Sequence, residues 1–188
     1  MTEIELKAHI SDPDAAEKAV LALPGAQKIG ETVKQDVYLR LEGSPVRVRL
    51  RDENGTITLT YKRKETRNGL EVNDEQECTV SDRKAVEVLL ADIGFKPFLT
   101  KIKRTRSFTV SDGTGDSGES GESVPAVTAE ISLVEPLGWF LELAILLEEA
   151  DPEEKSIAKA RNRLLQVLAG CGVGEESIEH RYYSEMLG

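Results

Sequence analysis

Several segments of this chain alternate apolar residues with charged ones, and the charges on a given segment are largely of one sign. In EIELK, Ile4 and Leu6 fall on one parity and Glu3, Glu5 and Lys7 on the other. In VRVRLR, Arg47, Arg49 and Arg51 oppose Val46, Val48 and Leu50. In LEVNDEQECTV, Glu71, Asn73, Glu75 and Glu77 oppose Leu70, Val72, Cys78 and Val80. A period of two is that of a β-strand with an apolar face and a polar one. The segments TITLTYK, AEISL and FLELAIL repeat it, with Thr58, Thr60 and Lys62, then Glu130 and Ser132, then Glu142 and Ala144 on the polar parity. Two same-face carboxylates such as Glu3 and Glu5 lie about 6–7 Å apart. At an effective dielectric near 20 they repel by about 2–3 kcal/mol. Water removes most of that cost, so the face is either wet or turned inward around something positive.

The rest of the chain supplies helices and turns. Ser11 or Asp12 caps a helix whose first turn holds Pro13 and which Pro24-Gly25 stops. Strands follow over 33–41, 46–52, 56–63 and 70–80, with Asn54-Gly55 as a hairpin turn. RKETR, 63–67, sits where a solvated connection is expected. A second helix runs from Ser81, with Asp82 nearby, to Ala91, and strands resume over 98–110, 126–134 and 139–147. DGTGDSGESGES has no apolar residue and reads as a mobile hairpin tip over 112–124. A helix over 152–169 carries an apolar stripe of Ile157, Leu164, Leu165 and Leu168, and a shorter helical tail, EESIEHRYYSEML, closes the chain. In KIKRTRSF, Lys101 and Lys103 fall on one parity and Arg104 and Arg106 on the other. A bulge would bring Lys103 and Arg106 together.

The chain of 188 residues reads as one domain, 1–188, of the α+β class, with about eight mostly antiparallel strands. Its 34 Asp and Glu against 24 Lys and Arg argue against duplex nucleic acid as a partner. The apolar run WFLELAILL is broken by Glu142 and too short for a membrane span, and with no basic-then-apolar leader the expected location is cytoplasmic. Cys78 and Cys171 lack metal-ligand spacing and read as reduced thiols. His9 and His180 stand alone. Two architectures remain open. An ordinary open sheet has one wet face, whereas eight strands can close into a barrel with every charge in its lumen. Such a lumen suits a polyanion with its cations, bases on phosphate oxygens and carboxylates on Mg²⁺ or Mn²⁺.

These segments, in this order, resemble the CYTH superfamily, the triphosphate tunnel metalloenzymes. EIELK matches its ExExK signature, QDVYLR its second strand, VRVRLR its arginine strand and TYKRK the strand ending in lysine. NDEQEC resembles the paired-glutamate strand, KIKRTRSF the Lys/Arg strand, LVEPLGWFLELAI the Leu-Gly-x-Phe-x-Glu stretch, and RYYSEMLG the ending of class IV cyclase-like members. The resemblance implies a closed eight-stranded triphosphate tunnel with flanking helices. In it Lys7, Arg47, Arg49, Lys62, Lys103 and Arg106 clamp phosphate, Glu3, Glu5 and Glu142 face the metal, and Glu75 and Glu77 complete an acidic wall. Glu3, Glu5, Lys7, Arg49 and Lys62 are the implied catalytic set. Four positions depart from the pattern: Ser132 stands where an Asp is usual, Ala144 where the last strand has a second Glu, and Leu39-Arg40 where Phe-Asp is frequent. Glu130 lies one same-face step from Ser132.

The implied activity is that of a class IV adenylyl cyclase, ATP to cyclic AMP and pyrophosphate. The alternatives are a triphosphatase and a non-catalytic binder of nucleotide or polyphosphate, the last favoured by the missing carboxylates. The expected partner is a nucleoside triphosphate or inorganic polyphosphate. The stripe of the long helix covers the barrel or serves a homodimer.

Overall fold

A computed structural model describes residues 2–67, 70–111, 126–148 and 152–187, with the side chains of 62–75 outside that description. The expected hairpin tip over 112–124 therefore lies outside the described residues. In chain order the elements are β1 Thr2–Ile10, α1 Pro13–Leu21, β2 Ala26–Arg40, β3 Val46–Glu53, β4 Thr56–Arg67, β5 Leu70–Val80 and α2 Arg83–Asp92. They continue with β6 Lys96–Val110, β7 Val127–Val134, β8 Gly138–Leu147, α3 Glu154–Gly170, a 3₁₀ turn at Glu175–Ser177 and α4 Tyr183–Met186. The strands form one eight-stranded antiparallel sheet in the order β1-β8-β7-β6-β2-β3-β4-β5.

The local signals act as their chemistry dictates. The Asp12 carboxylate accepts hydrogen bonds from the amides of Asp14 and Ala15, at 3.0 and 2.9 Å, and so starts α1. Asp82 does the same for α2 through the Ala85 amide, at 3.0 Å. Asn54 and Gly55, both at positive φ (52° and 85°), make the two-residue turn between β3 and β4.

Contacts divide the chain into two compact units, Met1–Glu31 with Arg104–Tyr182, and Thr32–Lys103 with Tyr183–Gly188. In the first, the apolar parities of β1, β8, β7 and the end of β6 pack under α1 and α3. Ile131, Leu141, Leu143 and Phe108 meet Val20 and Leu164, all fully buried. In the second, Leu39, Val48 and Leu50 pack with Leu90 of α2, joined by Phe95. In each unit the helices lie on the apolar parity of the strands, which leaves the charged parity on the other face.

Three expectations need correction. Strand β4 runs through 63–67, so RKETR is strand rather than loop, because ladder pairing with β5 continues to Arg67 opposite Leu70. Strand β2 begins at Ala26, seven residues early, where Lys28 is held by Glu17 (3.0 Å) and Glu31 (2.8 Å) rather than by apolar alternation. The tail is not one helix. After the 3₁₀ turn, Ile178 bridges Ala8 and the Glu179 amide donates to the Lys7 carbonyl at 2.8 Å, so this stretch lies along β1. Among the described residues no helix is long and apolar enough to cross a membrane.

Truncating Leu164, fully buried under the first sheet face, is expected to cost about 2–5 kcal/mol. Truncating the half-exposed Val88 of α2 should stay within about 0.5 kcal/mol. Urea unfolding of Leu164→Ala and Val88→Ala measures both.

Candidate functional site

On the charged face of the second unit, strand register sorts the side chains into rows. Asp36, Arg51, Thr58 and Thr79 lie in one row, Tyr38, Arg49, Thr60 and Glu77 in the next, and Arg40, Arg47, Lys62 and Glu75 in a third. The first row holds the most buried charge. Asp36, 0 % exposed, accepts two hydrogen bonds from Arg51, at 2.7 and 2.9 Å, and an ion pair from Lys101 at 3.2 Å. Burial alone would raise its carboxyl. The Arg51 hydrogen bonds and charge, with the charges of Lys101 and Arg49, outweigh that and bring it down to about 2. Burial pushes the Lys101 amine below the ordinary lysine range, with the Asp36 charge opposing. Lys101 also sits 4.8 Å from the centre of the Tyr183 ring and 5.8 Å from that of Tyr38. Lys103 is buried two residues along the same parity.

In the second row, Arg49 donates to Thr60 Oγ1 at 2.9 Å and to Glu77 Oε1 at 3.0 Å, while the Thr60 hydroxyl also donates to Glu77. The Thr60 hydrogen bond is the largest influence lowering the Glu77 carboxyl, followed, against the opposing effect of burial, by the Arg49 charge. The Arg49 Nε is buried without a hydrogen-bond partner among the described residues. In the third row Arg40 and Arg47 are exposed. Lys62 and Glu75 are in backbone register with Arg47 and with each other, but their side chains lie outside the described residues.

The charged face of the first unit is organised differently. Lys7 lies opposite Glu142, and Glu142 lies opposite Glu130, so β1, β8 and β7 contribute one row. Glu142 is 7 % exposed and Lys7 half-buried, whereas Glu3 and Glu5 are exposed. Glu5 lies opposite Ala144 and is a diagonal neighbour of Glu142. The Lys7 ammonium donates to the Arg181 carbonyl at 2.6 Å. His9 meets Glu179 at 3.3 Å and tilts against the Phe140 ring, with centroids 4.5 Å apart. Arg181 holds the Glu179 carboxyl well below its ordinary range through its side-chain and backbone hydrogen bonds. Ser132 is fully buried, and its hydroxyl pairs with that of Thr105 at 3.2 Å. That position therefore holds a neutral hydroxyl pair.

Arg106 is placed away from the charged parity. It keeps the parity of Phe108 and Val110, donates to Asp14 (2.7 Å) and Glu17 (2.8 Å) of α1, and its guanidinium lies 5.6 Å from the centre of the Trp139 ring. It shares the parity of Phe108 and Val110, which enter the core, and not that of Thr105, whose hydroxyl meets Ser132. The sequence assigns no substrate, metal or catalytic role to Asp36, Arg51, Lys101, Thr60 or Tyr183. The signal for the first two was present, since both fall on the polar parity, but the pairing of β2 with β3 spans a turn with no register-setting motif.

Among the described residues, no group of three His, Cys, Asp or Glu stands together as a metal cage. The donors the first unit does offer, Glu142 with Glu5 diagonal to it and Glu3 one same-face step further along β1, are all oxygen ligands. Mg²⁺ is commonly held by one or two carboxylates together with substrate phosphates, and the set fits that mode.

An α+β chain with an eight-stranded antiparallel sheet, buried cations on one set of strands and a lysine–glutamate row on another, matches one family across nearly its whole length. The CYTH domain model covers residues 1–183, and the chain belongs to that family. It is 22% identical, over its full length and 99% of the other, to a candidate adenylate cyclase of Methanocaldococcus jannaschii. A solved protein of Pyrococcus horikoshii has the same fold at 24% identity and a TM-score of 0.75, covering 100% of both chains. A candidate adenylate cyclase of Vibrio parahaemolyticus has it at 20% identity and a TM-score of 0.74, covering 98% of this chain and 97% of that one.

Removing the Asp36 charge leaves Arg51 and Lys101 buried without their anion, so Asp36→Asn should cost about 3–5 kcal/mol in urea unfolding. The carboxyl is depressed in the fold from an ordinary value near 3.8 to about 2. Its contribution is therefore complete above about pH 4 and is lost as the pH falls towards 2. Unfolding curves across that window should show the loss in wild type and its absence in Asp36→Asn.

Proposed function

We propose that this protein is a CYTH-family enzyme whose strands close into a tunnel around a triphosphate, and that it acts as an adenylyl cyclase on ATP in the cytoplasm. The observation that carries this reading is the excess of cation among the described side chains on the charged face of the second unit. Arg40, Arg47, Arg49, Arg51, Lys101 and Lys103 share it with Asp36 and Glu77, while Lys34 lies opposite Glu53 at its hairpin end. Net positive charge on a partly dry face is costly, and a polyanion offsets it.

In this reading Lys7, Arg47, Arg49, Lys62 and Lys103 bind phosphate oxygens, and Glu75 and Glu77 return carboxylates to the cations when no phosphate is bound. Arg49 and Glu77 are already a pair, so the phosphate exchanges for a carboxylate instead of meeting an unpaired charge. Glu3, Glu5 and Glu142 would hold Mg²⁺ or Mn²⁺, which supplies neutralisation of charge on the phosphate oxygens. The chain's own task is to fix the triphosphate so that the 3′-hydroxyl lines up with the α-phosphorus, and to stabilise the charge that develops as pyrophosphate departs. Positioning and charge complementarity carry most of phosphoryl-transfer catalysis, and no protein nucleophile is needed. Arg106, held by α1, is not assigned a phosphate.

A binder without turnover is favoured by one observation. Ser132 and Ala144 put a neutral hydroxyl pair and a methyl group on the metal-side face.

Phosphorus NMR of the protein with ATP, then with tripolyphosphate, each with Mg²⁺ and Mn²⁺, separates the cases. Cyclic AMP and pyrophosphate from ATP are the expected products, with turnover falling about 10²–10³-fold in Lys7→Ala and Arg49→Ala. Orthophosphate would instead identify a triphosphatase. Shifted phosphate lines without product, lost in both variants, would identify a binder.

A further inference from the structure

The tail of the chain holds Lys7 at its backbone and at the tip of its side chain. The Lys7 carbonyl accepts from the Glu179 amide at 2.8 Å, and the Lys7 ammonium donates to the Arg181 carbonyl at 2.6 Å. Next to Lys7 on β1, the fully buried Ala8 bridges Ile178, which packs against the core of the first unit. The tail is therefore anchored at 178 and 179 before it reaches the lysine head at 181.

Glu179 governs how Arg181 sits. One of its carboxylate oxygens accepts from the Arg181 amide at 3.0 Å and from Arg181 Nε at 2.9 Å. The other accepts from a terminal guanidinium nitrogen at 2.6 Å and meets His9 Nε2 at 3.3 Å. A side chain that accepts from the amide two residues on fixes a local turn without a helix or a ladder. The two-oxygen hold on the guanidinium adds a geometry that one hydrogen bond would not impose. Arg181 is thus fixed at its amide and at its side-chain tip, and its carbonyl is the group that Lys7 meets. The Glu179 side chain is 10% exposed, against 49% for that of His9.

A lysine is a point charge on a flexible four-carbon stem, and ordering that stem costs rotamer entropy. An ammonium has three donors, and a carbonyl that takes one of them fixes where the other two point. We infer that Glu179 is a positioning residue for Lys7: it holds the Arg181 carbonyl in place, and that carbonyl directs the Lys7 ammonium at the substrate. That the substrate is ATP and the reaction a cyclisation rests on the function proposed above; the linkage of Glu179, Arg181 and Lys7 does not. Arg181 takes part through its main chain, and its guanidinium serves to keep Glu179 engaged.

The first test follows cyclic AMP formation in wild type, Glu179→Ala, Glu179→Gln, Lys7→Ala and the double variant Lys7→Ala with Glu179→Ala. Arg83→Ala, which removes a guanidinium paired with Glu87 on α2, is the control. In Glu179→Ala kcat should fall about tenfold while KM stays within about twofold, because the stem still reaches the substrate but its direction is lost. Glu179→Gln still offers an acceptor to the Arg181 amide and should recover part of the loss, and Arg83→Ala should match wild type. In the Lys7→Ala background, adding Glu179→Ala should change kcat by less than about twofold, since the group being positioned is gone. The second test needs no turnover: acetylation of the Lys7 amine by acetic anhydride, read by mass spectrometry, should quicken in Glu179→Ala and hold in Arg83→Ala. A kcat in Glu179→Ala equal to wild type overturns the inference. So does a higher one, which would make the tail a cover over Lys7 instead of its guide. A loss that persists undiminished in the Lys7→Ala background overturns it too, because Glu179 would then act elsewhere. If wild type forms no cyclic AMP, the enzyme reading falls and acetylation decides the inference alone. Faster labelling of Lys7 in Glu179→Ala keeps the positioning, and unchanged labelling overturns it whether or not ATP turns over.

Discussion

A carboxylate with no access to solvent fixes the cationic face of the second unit. Asp36 holds Arg51 by both oxygens and takes the Lys101 ammonium as well, so three charges leave water together. Such a set stabilises a fold less than well-packed apolar residues of the same volume would. Its effect here is geometric. With Arg51 committed to Asp36, a one-residue slip of β2 on β3 is excluded, since it would turn Asp36 towards Leu90 and the apolar core and leave its charge unpaired. Tyr183 covers Lys101 from α4, which gives the last short helix a task that its few residues could not perform by packing alone.

The first unit meets the same constraint with fewer charges. Glu142 is nearly buried between Lys7 on one side and Glu130 on the other. The Lys7 ammonium reaches the Arg181 carbonyl, while Glu179 is gripped by its neighbour Arg181 and by His9. These contacts explain why the stretch after the 3₁₀ turn is extended. Each one needs side chains or carbonyls alongside β1, and a continuing helix would withdraw its own carbonyls from Lys7.

What was legible in the sequence followed from local chemistry. Asp12 and Asp82 cap because a short carboxylate reaches the first free amides, and Asn54-Gly55 turns because both residues accept positive φ. The two-faced strands were legible because a period of two has no helical counterpart. What was not legible depended on partners far away in the chain. The phase of Arg106 is set by Phe108 and Val110 entering the core under α1, and a charge count over KIKRTRSF carries no trace of that. The 63–67 segment is strand because β5 pairs with it, although its own composition is that of a loop. Asp36 could be placed on the polar parity but not matched to Arg51 and Lys101, because the first pairing needs the β2–β3 register and the second the position of β6.

The three arginines of VRVRLR share one face and one spacing, yet their surroundings make them unequal towards an anion. Arg51 is bound by a fully buried carboxylate whose removal would strand two cations, so a phosphate cannot displace it at reasonable cost. Arg49 is bound by Glu77, a side chain half in water, which can be released to solvent with little desolvation to reverse. Arg47 lies 6.0 Å from the centre of the Phe98 ring and in register with Lys62 and Glu75, whose side chains lie outside the described residues. Affinity for an oxyanion should therefore rise from Arg51 to Arg49 along the strand. A single alternating hexapeptide thus provides a structural arginine and an exchangeable one. Their order is set by which carboxylate lies across the sheet from each, and it cannot be read from the hexapeptide itself.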